Sequence, residues 1–271
     1  MRSHSVIAVG LFLLIACHIP VRAEDADSVA SSTFSDVHPV KKFFEDGAYL
    51  IASPLRLTKE DLPVVLGLAG AFGGAVALDR TTERNLSPFS NTKAATDLKN
   101  YGNIAQYGGP IVGSIFLVDG IVSDNPESKK TAYLSYESFL WASAVELSVK
   151  YLTGRQRPTS SSDPFVFKPG ASNGGFPSGH TTTAFAAATV FAEQYPVWEV
   201  EVPAYAAAAA VGFSRLYANQ HWGSDVLAGG LLGYGVSHLL RKLYNRPDSD
   251  WSVTADDHGI VLAKKFGGSP G

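Results

Sequence analysis

The stretch Gly174–His180, "GGFPSGH", stands directly before "TTTAFAAATVFAEQY", a run rich in alanine and aromatic residues. The run predicts a helix, and glycine, proline and serine are typical of the residues that open one. A helix N-terminus carries unpaired N–H donors and the positive end of a dipole, so it suits a phosphate or another oxyanion. Taken alone, an ordinary loop and cap with a surface histidine is the simpler explanation. The interpretation therefore depends on cations and a second histidine elsewhere.

The composition lies between that of soluble and that of polytopic membrane proteins. Of the 271 residues, 45% are hydrophobic and 17% are charged, and the mean hydropathy is +0.05. The length suits one large domain. The net charge of −3 gives no sign of a basic nucleic-acid surface, so we expect no nucleic-acid partner.

The N-terminus predicts an export signal over residues 1–23. Arg2 precedes the apolar run "VIAVGLFLLIA", which is too short to span a bilayer, and "VRA" ends at Ala23 with small residues suited to cleavage. In the alternative, "LIAC" resembles the lipobox of bacterial lipoproteins, and the signal ends before a lipidated Cys17. Both predict a protein of the bacterial cell envelope, periplasmic or membrane-associated. Cys17 is the sole cysteine, so no disulfide is expected.

The remaining chain predicts an all-α fold, a six-helix core bundle with a short C-terminal β-hairpin. Residues 24–57 are polar and predict a loosely docked N-terminal arm. Residues 58–245 form the predicted helical domain, and residues 246–271 form an appendage with strand-like alternation that turns at 257–259. The helix-like segments are 62–78, 103–122, 132–152, 180–195, 203–216 and 222–242.

Helix length and buried charge argue against six membrane spans. Most of the segments are shorter than the roughly 20 apolar residues that a span needs, and ionisable groups are expensive at the bilayer centre. The acids concerned are Asp119, Glu137, Glu146 and Glu193. We therefore expect a bundle that does not span fully, with membrane-surface association, and keep six spanning helices as the alternative.

Two further segments supply cations and a second histidine. Lys150 and Arg157, in "KYLTGRQRP", lie seven residues apart, which puts them on one helical face two turns apart. Basic residues at a helix C-terminus are common for dipole reasons alone. After Arg215, His221 and Asp225 lie four residues apart. Asp225 can accept the Nδ1–H of His221 and leave the Nε2 lone pair outward, although such pairs also occur as ordinary surface contacts.

Together these segments resemble a known three-part signature. They resemble, with no departure, the motifs of the type 2 phosphatidic acid phosphatase and vanadium-dependent haloperoxidase superfamily. The resemblance covers about residues 60–242 and implies that family's six-helix core. The matching residues are Lys150, Arg157, Pro158, Pro177, Ser178, Gly179, His180, Ser214, Arg215, His221 and Asp225.

The resemblance also implies a role for each matching side chain. His221 would be the nucleophile that forms a phosphohistidine, and Asp225 would orient it. His180 would protonate the leaving oxygen and then act as the base for water. The implied phosphate-binding residues are Lys150, Arg157, Ser178, Gly179 and Arg215.

No metal or other cofactor is implied. His180 and His221 lack an accompanying carboxylate or cysteine cluster at zinc-like spacing, and no nucleotide-binding glycine motif is present. Vanadate is expected to inhibit as a mimic of pentacoordinate phosphorus.

Three function classes follow. The first is a metal-independent phosphatase acting on a lipid phosphate or pyrophosphate, which the apolar "FPSGHTTTAFA" and "SDVLAGGLLGYG" contexts favour. The second is a periplasmic acid phosphatase acting on soluble phosphomonoesters. The third is a vanadate-dependent haloperoxidase or a non-catalytic phosphate-binding protein. The loop 159–175 is the expected carrier of substrate selectivity. Trp222 adjoins His221 and could contact substrate, although a core position is the simpler assignment.

Overall fold

The computed structural model describes residues 39–56, 58–171, 173–244, 251–256 and 259–264. The predicted export signal and Cys17 lie outside these residues. Short 3₁₀ turns occupy Ser53–Arg56, Lys59–Asp61 and Ser87–Phe89. The described helices are α1 (Pro39–Ala52), α2 (Leu62–Leu86), α3 (Lys93–Ala105), α4 (Gly108–Val122), α5 (Pro126–Thr153), α6 (Gly179–Gln194), α7 (Trp198–Tyr217) and α8 (Gly223–Tyr244).

Helix α6 lies at the centre of the bundle and packs against α5, α7 and α8. Its closest neighbour is α8, and glycines make the approach possible. A Cβ on Gly233 would lie 2.1 Å from the Thr182 carbonyl oxygen, and one on Gly229 would lie 2.6 Å from that of Ser178. The two backbones therefore meet without intervening side chains. This contact fixes the start of α8 beside the start of α6.

Helix α5 ends at a glycine that the geometry requires. Gly154 has φ +51°, in the left-handed region, and its amide donates to the Lys150 carbonyl. A Cβ there would lie 1.7 Å from the Lys168 carbonyl oxygen, so no other residue fits. From this point the chain turns back along the bundle end. The C-terminal ends of α5 and α7 thereby join the N-terminal ends of α6 and α8.

The six predicted helices all have counterparts, and two further helices were not predicted. Residues 39–52, which lie in the predicted loose arm, form α1, and the Trp141 indole packs directly over Gly47. The predicted helix 103–122 is interrupted between α3 and α4, where Gly108 begins a new helix. Helix α3 was missed because its sequence, "KAATDLKNYGNIA", is largely polar.

The C-terminal segment contains two strands, β1 (Trp251–Asp256) and β2 (Gly259–Lys264). They pair antiparallel, with Trp251 opposite Lys264 and Asp256 opposite Gly259. This pairing coincides with the segment for which the sequence predicts a hairpin. The two residues at its turn, 257 and 258, lie outside the described residues.

One described helical segment, Lys59–Phe89, is long and apolar enough to cross a membrane. Helices α3 and α4, bent by 43° at their break, would make a second if they formed one broken span. Large apolar side chains are also exposed on α4, α5 and α7. They include Ile111, Ile115, Val118, Ile121, Leu140, Leu147, Leu152, Trp198, Val202 and Phe213. Such a surface fits contact with lipid better than contact with water.

The four acids that argued against spanning all have partners on the structure. Glu137 is 1% exposed and accepts a hydrogen bond from the Tyr133 hydroxyl at 3.0 Å. Asp119 accepts one from Ser128. Glu146 pairs with Lys150, and Glu193 pairs with His238. Each of these carboxylates thus has a partner on its own helix or on a neighbouring one. They are therefore a weaker argument against lipid contact of the bundle than their sequence positions suggest.

Candidate active site

The signature residues come together where four helix ends meet. Lys150 lies in the last turn of α5, His180 in the first turn of α6 and Arg215 in the last turn of α7. Arg157 lies in the loop after α5, and His221 lies in the loop before α8. Burial, followed by the positive charges of this group, lowers the pKa of His180 to about 3. The histidine is therefore neutral near pH 7 when no anion is present.

His221 is 4% exposed and its Nδ1 faces two acceptors. The nearer is the Gly175 carbonyl oxygen at 2.7 Å, and the second is Oδ2 of Asp225 at 3.6 Å. An Nδ1–H that donates to Gly175 leaves the lone pair on Nε2. Burial is the main cause that lowers the pKa of His221, against the opposing effect of Asp225. The ring is thus neutral near pH 7 and oriented through its Nδ1.

Asp225 was expected to accept the Nδ1–H bond directly, but the structure gives the shorter contact to Gly175. The carboxylate is fully buried and has other donors. Arg155 Nη1 lies 2.5 Å from Oδ1, and the Trp222 amide donates to Oδ2 at 3.0 Å. Burial alone would raise the pKa of Asp225, but Arg155 and His221 hold it below its ordinary value. The carboxylate is therefore charged beside His221.

Asn103 links His180 to Arg215 and defines the tautomer of His180. Arg215 Nη1 donates to Asn103 Oδ1 at 3.0 Å, and His180 Nε2 lies 3.1 Å from the same oxygen. Because an arginine can only donate, this oxygen is an acceptor, and His180 must contribute Nε2–H. The neutral ring then has its lone pair on Nδ1. Asn103 was not singled out because it lies outside the three motifs, at the first position of the predicted helix 103–122.

Among the residues that the structure describes, Lys150 is the one of the three cations that forms an ion pair with a carboxylate. Lys150 pairs with Glu146, whose own pKa is raised by burial. Burial and the neighbouring Arg157 lower the pKa of Arg215 to about 10, and burial also lowers that of Arg157. These shifts show that the cations are crowded together away from water. An anion between them would relieve both effects.

The predicted contribution of Ser178 is not seen in its side-chain contacts. Ser178 is fully buried, and its Oγ lies 2.9 Å from the Thr181 Oγ1. Its hydroxyl thus already has a partner within α6. Gly179 leaves room beside the Glu146 carboxylate, since a Cβ there would lie 3.0 Å from Glu146 Oε1. The backbone at the start of α6 is therefore closely packed against α5.

Arg155 and Asp79, two buried residues that sequence analysis did not single out, complete the surroundings of Asp225. Arg155 is 1% exposed and binds both Asp225 and Asp79, which lies on α2. The closeness of Arg155 to Arg157 in "TGRQRP" was the one available signal. Trp222 is 1% exposed and its indole N–H donates to the Gln156 carbonyl at 2.9 Å. It is a core anchor beneath the site.

Backbone hydrogen bonds and one ion pair hold the loop after α5. Its first residues bond to its middle, with Gln156 N donating to the Val166 carbonyl and Lys168 N donating to Gly154. At the surface, Arg80 of α2 pairs with Asp163.

In the part of the chain that the structure describes, no three His, Cys, Asp or Glu side chains are grouped as metal ligands would be.

Comparison with known proteins finds a family and two curated relatives that match part of the chain. Residues 133–248 match the model of the PAP2 superfamily. The lipid A 1-phosphatase of Porphyromonas gingivalis is 41% identical over 101 residues, which cover 34% of this chain and 20% of that protein. The undecaprenyl-diphosphatase of Sulfolobus acidocaldarius is 31% identical over 103 residues, which cover 38% of this chain and 50% of that protein.

A solved structure is similar at lower identity. It is a transmembrane PAP2-type phosphatidylglycerolphosphate phosphatase from Bacillus subtilis, with 17% identity and a TM-score of 0.44, covering 75% of this chain and 94% of that one. The chain spans half or less of the length of the two curated relatives. The matched segment contains all three motifs. Residues 133–248 of this chain, with all three motifs, therefore resemble the PAP2 superfamily.

Proposed function

We propose that this protein is a metal-independent phosphatase that hydrolyses a lipid phosphate or pyrophosphate at a membrane of the cell envelope, through a phosphohistidine on His221. The observation that carries the proposal is the convergence of a neutral, oriented His221, a second histidine and three crowded cations. Such a group matches what transfer of a phosphoryl group needs: a nucleophile, a proton donor and charge neutralisation. The matched relatives, both phosphatases by name, agree with it.

In the first step, His221 Nε2 attacks phosphorus in line with the leaving oxygen. The phosphorus–oxygen bond breaks as the nitrogen–phosphorus bond forms, and the imidazole becomes cationic. Gly175 and Asp225 face its Nδ1–H, so they stabilise that cation. Lys150, Arg157 and Arg215 neutralise the non-bridging oxygens, the arginines through paired N–H donors.

His180 supplies the proton for the leaving oxygen. In the second step, its neutral ring accepts a proton from water, the water oxygen attacks phosphorus, and the nitrogen–phosphorus bond breaks to release phosphate. With a pKa of about 3 in the empty site, His180 lacks this proton at neutral pH. A bound phosphate therefore has to raise the pKa or deliver the proton itself, as a monoanion.

An apolar groove supports a lipid substrate. The gap between α7 and α8, floored by α6, has a volume of about 970 Å³. Leu216 and Gly223 line the end nearest the site, adjacent in sequence to Arg215 and two residues from His221. The groove continues to Arg241, about 27 Å further along α8 at 1.5 Å per residue. An alkyl chain of the substrate fits its length and its apolar walls.

Phosphate release from a lipid phosphate in detergent and from a small aryl phosphate is the direct test of the proposed function. With chelator present, the wild type should release phosphate from both and prefer the lipid. His221→Ala should lose at least about a thousandfold in kcat because the nucleophile is gone. Faster release from the aryl phosphate would point to a soluble-type acid phosphatase. Undiminished turnover by His221→Ala would refute the mechanism.

Vanadate should raise the pKa of His180. The anion's negative charge reverses the repulsion by which the cations disfavour the imidazolium. Histidine-labelled protein, titrated with and without saturating vanadate, reports this by NMR, and His180→Gln identifies the signal. His238, at the far end of α8, is the internal control and should not respond. An unchanged titration of His180 at saturating vanadate would show that the anion binds elsewhere.

Filling the groove should impair lipid hydrolysis alone. Ala209 lines the groove with its side chain exposed, so Ala209→Trp obstructs it without entering the core. We expect kcat/KM for a long-chain lipid phosphate to fall about tenfold or more, as the loss of a few buried methylenes implies. Aryl phosphate hydrolysis should stay unchanged. Ala206→Trp, exposed on the same helix but outside the groove, is the matched control. Equal effects of both variants on lipid hydrolysis would exclude the groove.

A further inference from the structure

The Arg155 guanidinium is buried among three separate parts of the chain. Its Nη1 lies 2.5 Å from Asp225 Oδ1 and 2.7 Å from the Ser224 hydroxyl, both at the start of α8. Its Nη2 lies 2.7 Å from Asp79 Oδ2 on α2, and its Nε donates to the Pro164 carbonyl at 2.8 Å. Each of the three guanidinium nitrogens thus has a hydrogen-bond partner.

Asp79 binds both Arg155 and Ser224. It is fully buried, and its Oδ1 accepts the Ser224 amide at 2.8 Å. Its Oδ2 accepts the Ser224 hydroxyl at 2.6 Å as well as Arg155. Asp79 therefore caps the start of α8 with a negative charge, which is favourable at a helix N-terminus. It also fixes the guanidinium that binds Asp225.

Arg155 controls both acceptors that face His221. Through its side chain it occupies Oδ1 of Asp225, which leaves Oδ2 for the Trp222 amide and for His221 Nδ1. Through its backbone carbonyl it accepts the Gly175 amide at 2.6 Å. Gly175 is the residue whose own carbonyl accepts from His221 Nδ1. One residue thus determines the position of the carboxylate and of the carbonyl.

We propose that Arg155, fixed by Asp79, is the positioning residue of the nucleophile: it sets the two acceptors that orient His221 and stabilise its cationic form. This inference rests on the proposed function. It also assigns a task to α2, the helix that is long and apolar enough to cross a membrane. Through Asp79, the placement of that helix determines the placement of Asp225.

A purely structural role predicts a different outcome. Removing one member of a buried ion cluster leaves an uncompensated charge and loosens the surroundings. Loosening would expose His221 to water and bring its lowered pKa back up, whichever member is removed. A positioning role through charge predicts that the pKa of His221 shifts in opposite directions when Asp79 and when Arg155 is neutralised. Without the Asp79 charge, Arg155 neutralises Asp225 more fully, and the pKa of His221 falls. Without the Arg155 charge, the carboxylates of Asp79 and Asp225 remain uncompensated, and the pKa of His221 rises.

The test compares Asp79→Asn, Arg155→Gln and Arg155→Lys, each in the full chain. We expect Asp79→Asn and Arg155→Gln to lower kcat about tenfold or more for both lipid and aryl phosphate, since misplacement by about 1 Å can cost 100-fold. KM and vanadate affinity should change less than twofold, because the cations that bind phosphate are intact. Arg155→Lys should recover part of kcat. Arg80→Gln, next to Asp79 on an exposed ion pair, should match the wild type.

Histidine NMR gives a readout that does not need turnover. The pKa of His221 should fall in Asp79→Asn and rise in Arg155→Gln. A rise in both, or kcat within twofold of the wild type in folded Asp79→Asn, would overturn the proposal. Ser224→Ala is the milder variant should the others unfold on heating, and it should lower kcat in the same way but less. Absence of phosphate release by the wild type would refute the proposed function instead, and the NMR shifts would still test the positioning.

Discussion

The structure depends on one buried charge, the guanidinium of Arg155, and on the two carboxylates that compensate it. A charge at 1% exposure is stable only with partners in good geometry, because its desolvation costs several kcal/mol. The partners come from α2 and from the start of α8, far apart in sequence. The Arg155 contacts therefore tie the loop after α5 to α2 and to the start of α8. These contacts also position the site, since Asp225 is one of the two carboxylates and its Oδ2 lies 3.6 Å from Nδ1 of His221.

The groups around His221 have opposing effects on the cationic form of its ring. Carboxylate and carbonyl oxygens lie on the Nδ1 side, where they favour the cationic ring. The cations of Lys150 and Arg157 act from elsewhere in the site and disfavour it. In the absence of an anion, both histidines are thus neutral. In the proposed mechanism, a bound phosphate would supply the missing negative charge, so its binding would also raise the pKa of His180, the proposed proton donor.

The residues to which sequence analysis assigned the chemistry meet in the structure, whereas Arg155, Asp79 and Asn103, which surround them, were not singled out. Lys150, His180 and His221 occur in compact motifs at helix ends, and their meeting follows from a bundle whose ends coincide. Asp79 is a lone acid after an apolar run, and nothing in its neighbourhood predicts a partner 76 residues away. Asn103 lies at the first position of the predicted helix 103–122, but it belongs to none of the three motifs, and nothing near it in sequence predicts a partner 112 residues away.

The same limit applies to the membrane question. Glu137 and Glu146 counted against lipid contact when only their positions along a helix were known. In the structure both point into the bundle, at 1% and 4% exposure, while Leu140 and Leu147 of the same helix are exposed. The helix has an apolar outside and a polar inside. Its sequence shows little amphipathic periodicity because small residues occupy much of the buried face.

The central claim is that phosphate passes through a covalent bond to His221, and rapid quenching during turnover of a lipid phosphate tests it most directly. Phosphohistidine survives alkaline quenching, so mass spectrometry of the digested protein can locate it. The account predicts phosphate on the peptide that contains His221, present in the wild type during turnover and absent from His221→Ala. Steady turnover with an unmodified His221, or with phosphate on another residue, would contradict it.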